Sequence, residues 1–170
     1  STQLRGWLSS STLKSIVRGE TIGRRIVKAP PDGLDLQMAE ELAKLHAIPL
    51  ARLSALPRAQ LWESLTTELD LVEEPHGAIE LGLAWCRERI PLERPAVVAH
   101  GDFRIGNLMV DTNGLAAVLD WEFAHVGDPA EDLAWPLVRA WRFGSDHLRL
   151  GGVAAVEGYL ARYAELTGRE

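Results

Sequence analysis

The sequence contains one cysteine, no long apolar run and no cluster of basic residues. Because Cys86 is the single cysteine of the sequence, it cannot form an internal disulfide, and we expect the protein to be in a reducing, cytoplasmic compartment. No apolar stretch approaches the roughly 18 residues that a membrane-spanning helix needs, so no membrane association is expected. The net charge is −6 without a Lys/Arg-rich segment, which argues against nucleic acid as a partner.

The composition and length favour one globular domain. The 170 residues are 46% hydrophobic and 25% charged, as is usual for a folded domain. Apolar periodicity predicts helices, then a few short strands, then more helices. The fold class is therefore α+β and mostly helical, with a small β-hairpin at the active edge. Residues 1–18 show no clear pattern and stay unassigned. The predicted helices lie over 20–28, 35–47, 58–74, 78–90, 129–142 and 152–166, and a buried strand lies over 96–99.

Each long predicted helix has an apolar face that should point into the core. Tryptophans on such faces, including Trp62, Trp85 and Trp135, are assigned to packing. The two faces comprise Leu36, Ala39, Leu42, Ala43 and His46 in the helix over 35–47, and Leu61, Trp62, Leu65, Leu69 and Val72 in the helix over 58–74.

Three polar side chains around the predicted hairpin can supply the chemistry of phosphoryl transfer. Asp102 and Asn107 are five positions apart, the Asp-to-Asn spacing of the protein-kinase catalytic loop H-R-D-x-x-x-x-N. The segment Asp111-Thr112-Asn113-Gly114 predicts a hairpin turn, because Asn-Gly tolerates the positive φ of tight turns. That hairpin would return Asp120 to the same place. Asp102 is then a candidate base, and Asn107 and Asp120 are candidate ligands of a Mg²⁺ ion on nucleotide phosphates.

Neighbouring side chains have a supporting role or a purely structural one. His100, at the end of the buried strand, is expected to hold the loop by hydrogen bonds. Arg104 could orient Asp102, contact a phosphate, or form a structural ion pair. Glu122 either lies near the metal or is simply exposed. Asp128 is expected to be a helix N-cap in a capping box, and to support the loop indirectly.

Three motifs resemble the aminoglycoside phosphotransferase and choline-kinase-like family: His100-Gly101-Asp102-Phe103-Arg104-Ile105-Gly106-Asn107, Leu119-Asp120-Trp121-Glu122, and Gly127-Asp128-Pro129-Ala130-Glu131-Asp132-Leu133-Ala134. Leu42-Ala43-Lys44-Leu45-His46-Ala47-Ile48 resembles the helix before that family's substrate region. The sequence around Arg104 and Trp121 is most similar to that of acyl-CoA-dehydrogenase-associated and uncharacterised bacterial members of this family. The resemblance implies a bilobal protein-kinase-like fold, and transfer of the γ-phosphate of ATP, with Mg²⁺, to a small-molecule hydroxyl.

A complete member of that family also needs a strand-rich lobe with a Gly-rich phosphate-covering loop and a strand lysine. The sequence has no Gly-x-Gly and only three lysines. Arg25-Ile26-Val27-Lys28 resembles a lysine-bearing strand but runs into Pro30-Pro31, so we reject it. Residues 19–170 are therefore expected to be the C-terminal catalytic lobe alone, inactive by itself. An apolar surface where the other lobe would pack should promote self-association.

From Ala59 to Cys86 the sequence has six acidic residues and no Lys or Arg. One interpretation is a solvated helix face. The other is a pocket wall for a cationic acceptor, such as an aminosugar or a choline-like molecule, with Glu73 and Glu74 as candidate residues.

Two further functional classes stay open. A solitary lobe could bind a ligand or partner without turnover, which the missing lysine and phosphate loop favour. A metallophosphoesterase is the third class, because Gly101-Asp102 and Gly106-Asn107 resemble its Gly-Asp and Gly-Asn-His elements. Leu108 stands where that enzyme class has histidine.

Overall fold

The computed structural model of the chain describes residues 18–58, 61–72, 74–90 and 95–169. None of the described helices is long and apolar enough to cross a membrane. In chain order the elements are α1 (Gly23–Lys28), α2 (Leu34–His46), α3 (Leu61–Asp70), α4 (Gly77–Arg87), β1 (Val97–Ala99), β2 (Leu108–Asp111), β3 (Gly114–Val118), β4 (His125–Gly127), α5 (Pro129–Ala134) and α6 (Val156–Thr167). Short 3₁₀ turns lie at Leu50–Leu53, Ile105–Asn107, Trp121–Phe123, Trp135–Leu137 and Arg139–Arg142.

The core forms where α2 packs against α6. Helix α2 confirms the predicted helix over 35–47, but Leu36, which we expected inside, is 42% exposed. Leu36 lies two residues from both Leu34 and Met38, about 200° around the helix from each, so it must point away when they are buried. The buried residues of α2 are Leu34, Met38, Ala39, Leu42, Ala43, Leu45 and His46.

Helices α3 and α4 confirm the predicted helices over 58–74 and 78–90, with shorter bounds. Their predicted burial is wrong: Leu65, Val72 and Trp85 are exposed, Trp85 by 58%. An amphipathic pattern shows which side chains share a face but not what covers that face. The two helices therefore present apolar side chains on the surface of the described chain.

The predicted hairpin is confirmed as β2 and β3, which pair antiparallel from Leu108 opposite Val118 to Asp111 opposite Gly114. Only Gly114 of the Asn-Gly pair takes a positive φ, +114°. Gln37 of α2 clamps the hairpin, because its Oε1 accepts from the Leu115 N–H at 2.6 Å. The hairpin is thus fixed to the helical core.

A second antiparallel pair, β1 with β4, was not predicted from the sequence. Its register places Val97 opposite Gly127 and Ala99 opposite His125. The chain after β1 and the chain before β4 therefore leave the same end of this pair. Because of that geometry, the loop containing Asp102 lies beside the segment that follows Asp120.

Helix α5 begins as predicted and ends earlier than predicted. The capping box at Asp128 is confirmed: Asp128 Oδ1 accepts from the Ala130 N–H at 2.8 Å, and Glu131 Oε1 accepts from the Asp128 N–H at 3.1 Å. The single helix predicted over 129–142 is wrong, since two 3₁₀ turns follow Ala134. Pro136 explains the break, because proline has no N–H for the carbonyl four residues earlier.

Candidate functional site

Asp102 receives hydrogen bonds on both oxygens of its carboxylate. Oδ1 accepts from Trp135 Nε1 at 2.5 Å and from Arg104 Nε at 2.9 Å. Oδ2 accepts from Asn107 Nδ2 at 2.6 Å. The Asp102 side chain is 14% exposed, so the carboxylate is held firmly but still meets solvent.

These donors decide the charge state of Asp102. Burial by itself would raise the pKa of Asp102, because it disfavours the charged form. The hydrogen bonds from Trp135, Arg104 and Asn107, with the positive charge of Arg104, outweigh that effect and hold the pKa of Asp102 below its ordinary value. The side chain is therefore a carboxylate at neutral pH, as a group that accepts a hydroxyl proton must be.

Asn107 is buried in the 3₁₀ turn that follows the loop. Its Nδ2 donates to the Asp102 carbonyl at 2.9 Å as well as to the Asp102 carboxylate. With its amide nitrogen used in this way, Oδ1 is the atom that can face a ligand.

Asp120 directly follows β3 in a left-handed backbone conformation, with φ 65° and ψ 63°. Among the described residues, none makes a hydrogen bond to its exposed carboxylate. Left-handed backbone is unfavourable for most residues, although aspartate and asparagine tolerate it better than others, and residues in this region are often found at functional sites. The Leu119 N–H donates to the Asn107 carbonyl at 2.8 Å, which places Asp120 close to Asn107 in space. The hairpin thus returns Asp120 to the loop, as expected.

His100 joins the two halves of the site. It is fully buried, its Nδ1 accepts from the Asp102 N–H at 3.2 Å, and its Nε2 donates to the Leu119 carbonyl at 2.8 Å. These partners require the tautomer with the proton on Nε2. His100 holds the loop through hydrogen bonds, as the sequence predicted, and connects the backbone of Asp102 to the residue before Asp120.

Asp132 is a site residue that the sequence reasoning missed. It is 0% exposed, and its Oδ2 and Oδ1 accept from the backbone N–H groups of His100 and Gly101 at 2.7 and 2.9 Å. Asp132 lies one helical turn after Asp128, the residue for which the sequence predicts indirect support of the loop. The sequence signal for this residue was the acidic pair Glu131-Asp132. Which of the two side chains points towards the loop becomes clear only once the first residue of the helix is known.

Trp135 is the second residue that was missed. It was assigned to the core, but it is 39% exposed and lies against Asp102. Its ring centroid lies 5.6 Å from that of Trp141, and the guanidinium of Arg104 lies 4.4 Å from the Trp141 centroid. Arg104 forms an ion pair with Asp102, Nε to Oδ1 at 2.9 Å, which fits both the orienting and the ion-pair alternatives, and it has an aromatic pair behind it.

The remaining predicted residues are exposed or lie outside the described residues. Glu122 is exposed in the 3₁₀ turn after Asp120. Glu74 is exposed between α3 and α4, and Glu73 lies outside the described residues. The structure does not bring Glu74 together with the loop, and its role in a pocket stays a prediction.

Gly101 allows the two loops of the site to touch. Its φ is +83°, and a β-carbon at this position would lie 2.5 Å from the Phe123 carbonyl oxygen. A real β-carbon does not approach an oxygen so closely. The position therefore requires glycine for both its backbone conformation and its contact.

Asn107 and Asp120 fit the oxygen ligands that a Mg²⁺ ion on nucleotide phosphates would use. Within the described part of the chain, no three His, Cys, Asp or Glu side chains are grouped as metal ligands. One amide oxygen and one exposed carboxylate still match this kind of site, since Mg²⁺ there takes one or two protein oxygens and completes its shell with water and phosphate.

Residues 6–168 match the model of the phosphotransferase enzyme family, APH. The chain belongs to this family. Acyl-CoA dehydrogenase family member 10 of Mus musculus is 28% identical over 149 residues, which is 74% of this chain and 14% of that protein. This match agrees with the similarity to acyl-CoA-dehydrogenase-associated members that the sequence around Arg104 and Trp121 shows.

Solved structures of phosphotransferases share the fold. A putative aminoglycoside phosphotransferase from Ralstonia eutropha aligns with a TM-score of 0.66 and 23% identity, over 91% of this chain and 54% of that one. Macrolide 2′-phosphotransferase type I gives 0.62 and 24%, over 83% and 46%. The GDP and kanamycin complex of APH(2″)-IIIa gives 0.61 and 18%, over 91% and 54%. The chain spans about half the length of these structures, and its fold is that of the mostly helical, C-terminal lobe of the kinase-like phosphotransferases.

Proposed function

We propose that the chain is the catalytic lobe of an ATP-dependent kinase that transfers the γ-phosphate to a hydroxyl of a small molecule. One observation carries the proposal: Asn107 Nδ2 donates to Asp102 Oδ2 at 2.6 Å, and the N–H of Leu119, the residue before Asp120, donates to the Asn107 carbonyl at 2.8 Å. Membership of the phosphotransferase family supports the same chemistry.

In the proposed reaction the acceptor oxygen bonds to the γ-phosphorus, while the bond from that phosphorus to the β–γ bridging oxygen breaks and ADP leaves. The hydroxyl proton passes to the carboxylate of Asp102. Arg104, Trp135 and Asn107 fix the direction of that carboxylate before the acceptor binds. The lobe therefore contributes position and charge rather than a covalent intermediate.

Asn107 Oδ1 and the Asp120 carboxylate are the groups proposed to hold Mg²⁺. When bound, the ion would neutralise the charge of the phosphates. Asp120 is exposed, which leaves its carboxylate accessible to a ligand, and Asn107 is buried with its amide held by two hydrogen bonds to Asp102. Glu122, two residues after Asp120 in the chain, is proposed to adjust the charge there.

A cationic acceptor is the first class to assay. The six acidic residues between Ala59 and Cys86 support it, and so does the kanamycin complex of one structural neighbour. Glu74 is the described acidic residue proposed to contribute, through its charge at the edge of α4.

Turnover is proposed for the intact protein. Since the chain spans about half the length of the structures it matches, these 170 residues by themselves are expected to bind Mg-ATP weakly and to show no kinase turnover. The phosphates would lack the covering loop and the lysine that kinases place on them.

The test is ATP-dependent phosphorylation of a panel of hydroxyl compounds by the intact protein, with an Asp102→Asn variant. Removal of the base should lower kcat by about 10²–10⁴-fold and leave the affinity for Mg-ATP almost unchanged. Asp32→Asn, an exposed change in the turn before α2, is the matched control and should behave as the wild type.

Three results would contradict the proposal. Normal turnover by Asp102→Asn would show that Asp102 is not the base. Mg-ATP binding without phosphorylation of any acceptor would favour a non-catalytic binding module. Hydrolysis of a chromogenic phosphate ester with Mn²⁺, without ATP, would favour a metallophosphoesterase.

A further inference from the structure

Behind the loop, three buried polar side chains from three helices form one hydrogen-bonded network. The Tyr163 hydroxyl lies 2.6 Å from His46 Nδ1, and His46 Nε2 lies 3.2 Å from Asp132 Oδ2. The residues belong to α6, α2 and α5, and all three are buried. We call these residues, His46, Asp132 and Tyr163, the rear network.

The hydrogen bonds of the rear network have one consistent direction. In the neutral imidazole one nitrogen donates and the other accepts, so next to the Asp132 carboxylate, which only accepts, the donor is His46 Nε2, and Nδ1 accepts from the Tyr163 hydroxyl. Asp132 Oδ2 also accepts from the His100 N–H at 2.7 Å. A single oxygen therefore joins the side chain from α2 to the backbone of the loop.

We propose that His46 is a positioning residue for the phosphoryl-transfer site: through Asp132, it holds the backbone at His100 and Gly101 and so sets the place of Asp102. The catalytic part of this inference rests on the proposed function. The structural part, that His46 orders the loop, does not depend on turnover.

Loss of the His46 bond would disturb the loop because the Asp132 carboxylate could then move and rotate more freely. The backbone N–H groups of His100 and Gly101 donate to Oδ2 and Oδ1 at 2.7 and 2.9 Å, one to each oxygen. The bond from His46 adds a third partner, on Oδ2 and from a different helix, that restrains the carboxylate, while Tyr163 restrains the imidazole ring. At a fully buried carboxylate no water can replace a lost donor, so losing one has a large effect on the remaining bonds.

The network also reaches the other half of the site. The backbone of His100 is bonded to Asp132, and its side chain donates to the Leu119 carbonyl, one residue before Asp120. A loop displaced by loss of His46 would therefore move both Asp102 and Asp120. This displacement should lower kcat about 10-fold, because the reacting groups are misplaced, and change the KM for ATP less.

The test compares His46→Leu, His46→Gln and Tyr163→Phe by NMR and by urea unfolding of the 170-residue chain. In His46→Leu the amide protons of His100 and Gly101 should shift and exchange about 10-fold faster than in the wild type, after correction for global stability. His46→Gln should restore most of the protection, since its side-chain amide can donate to Asp132. Tyr163→Phe should give a smaller change of the same sign.

Tyr159→Phe is the matched control, because Tyr159 lies on the same helix and its hydroxyl approaches the Asp132 carbonyl, at 3.5 Å, rather than the carboxylate. It should leave both amides unchanged. The inference is overturned if the amides of His100 and Gly101 are unaffected in His46→Leu, or, should that variant not fold, in Tyr163→Phe. Loss of kinase activity in every assay would contradict the proposed function, while the amide protection would still decide whether His46 orders the loop.

Discussion

The indole N–H of Trp135, a side chain that is itself 39% exposed, donates to Oδ1 of Asp102 at 2.5 Å. Oδ2 is turned towards the buried Asn107. An acceptor hydroxyl that gives its proton to Oδ1 must therefore share this oxygen with Trp135 or replace its indole. Trp135 thus lies where the acceptor is expected to bind.

We expect Trp135→Phe to move the acid limb of the pH profile to higher pH. The variant keeps an aromatic ring but removes one of the donors that lower the pKa of Asp102, so that pKa should rise. Because the base must be ionised to act, kcat/KM should begin to fall at a higher pH than in the wild type. The measurement is kcat/KM as a function of pH, from about pH 4 to about pH 8, a range that contains the acid limb.

The control for that experiment is Trp141→Phe. Trp141 is the stacking neighbour of Trp135, and the hydrogen bonds to Asp102 come from other residues. Its variant should keep the wild-type limb. If both variants show the wild-type limb, Trp135 does not influence the base.

We expect Asp102→Asn to make the stability of the fold less dependent on pH in acid. A carboxyl whose pKa is lowered on folding stabilises the folded state above its unfolded pKa of about 4, and this contribution is lost as the pH falls through the folded pKa. The wild type should therefore lose more free energy of unfolding than the variant as the pH is lowered from neutral to about 3. Urea unfolding at both pH values measures the difference, and equal losses would contradict a lowered pKa.

We expect Asp120→Gly to separate function from stability. Glycine adopts φ 65° without steric cost, which offsets the greater freedom that it gives the unfolded chain, so the stability of the variant should stay within about 1 kcal/mol of the wild type. Loss of the carboxylate should weaken Mg²⁺-dependent binding of a fluorescent ATP analogue at least 10-fold, on the order of a lost charged ligand. Thermal unfolding and a Mg²⁺ titration test both parts. An Asp120→Gly variant with wild-type Mg²⁺ dependence would place the metal elsewhere.

We expect the 170-residue chain to self-associate through the exposed apolar side chains of α3 and α4. Leu81 and Trp85 are among the most exposed of these, and such contiguous patches favour association. Leu81→Glu should lower the association seen by sedimentation velocity at about micromolar concentration and leave the unfolding midpoint within about 0.5 kcal/mol of the wild type. Glu80→Gln, beside it on the polar side, is the control.

Features that depend on local sequence were predicted well. The hairpin follows from Asn113-Gly114, and the capping box from Asp128 and Glu131, because short-range backbone chemistry determines both. The spacing of Asp102, Asn107 and Asp120 located the candidate site, since the kinase-like pattern lies within a single loop and hairpin.

Features that depend on what packs above a residue were not predicted. Periodicity placed Leu36 and Trp85 inside, but burial depends on the element that covers a face. Asp132 and Trp135 reach the loop across 30 or more positions (Trp135 to Asp102 spans 33 in sequence), and only the folded chain shows such contacts. The early end of α5 could have been predicted from the sequence, because a proline such as Pro136 kinks or breaks a helix when it lies in the interior of that helix.

The close contact at Gly101 also limits which sequences can be exchanged between kinase families. The protein-kinase loop has arginine between its histidine and its aspartate, whereas this chain has glycine. Here the backbone is left-handed at that position, and the Phe123 carbonyl occupies the place of a side chain. An arginine at residue 101 would push the loop after β1 away from the segment before β4. The two loop types are therefore not modules that can be grafted onto each other, even though they share the Asp-to-Asn spacing.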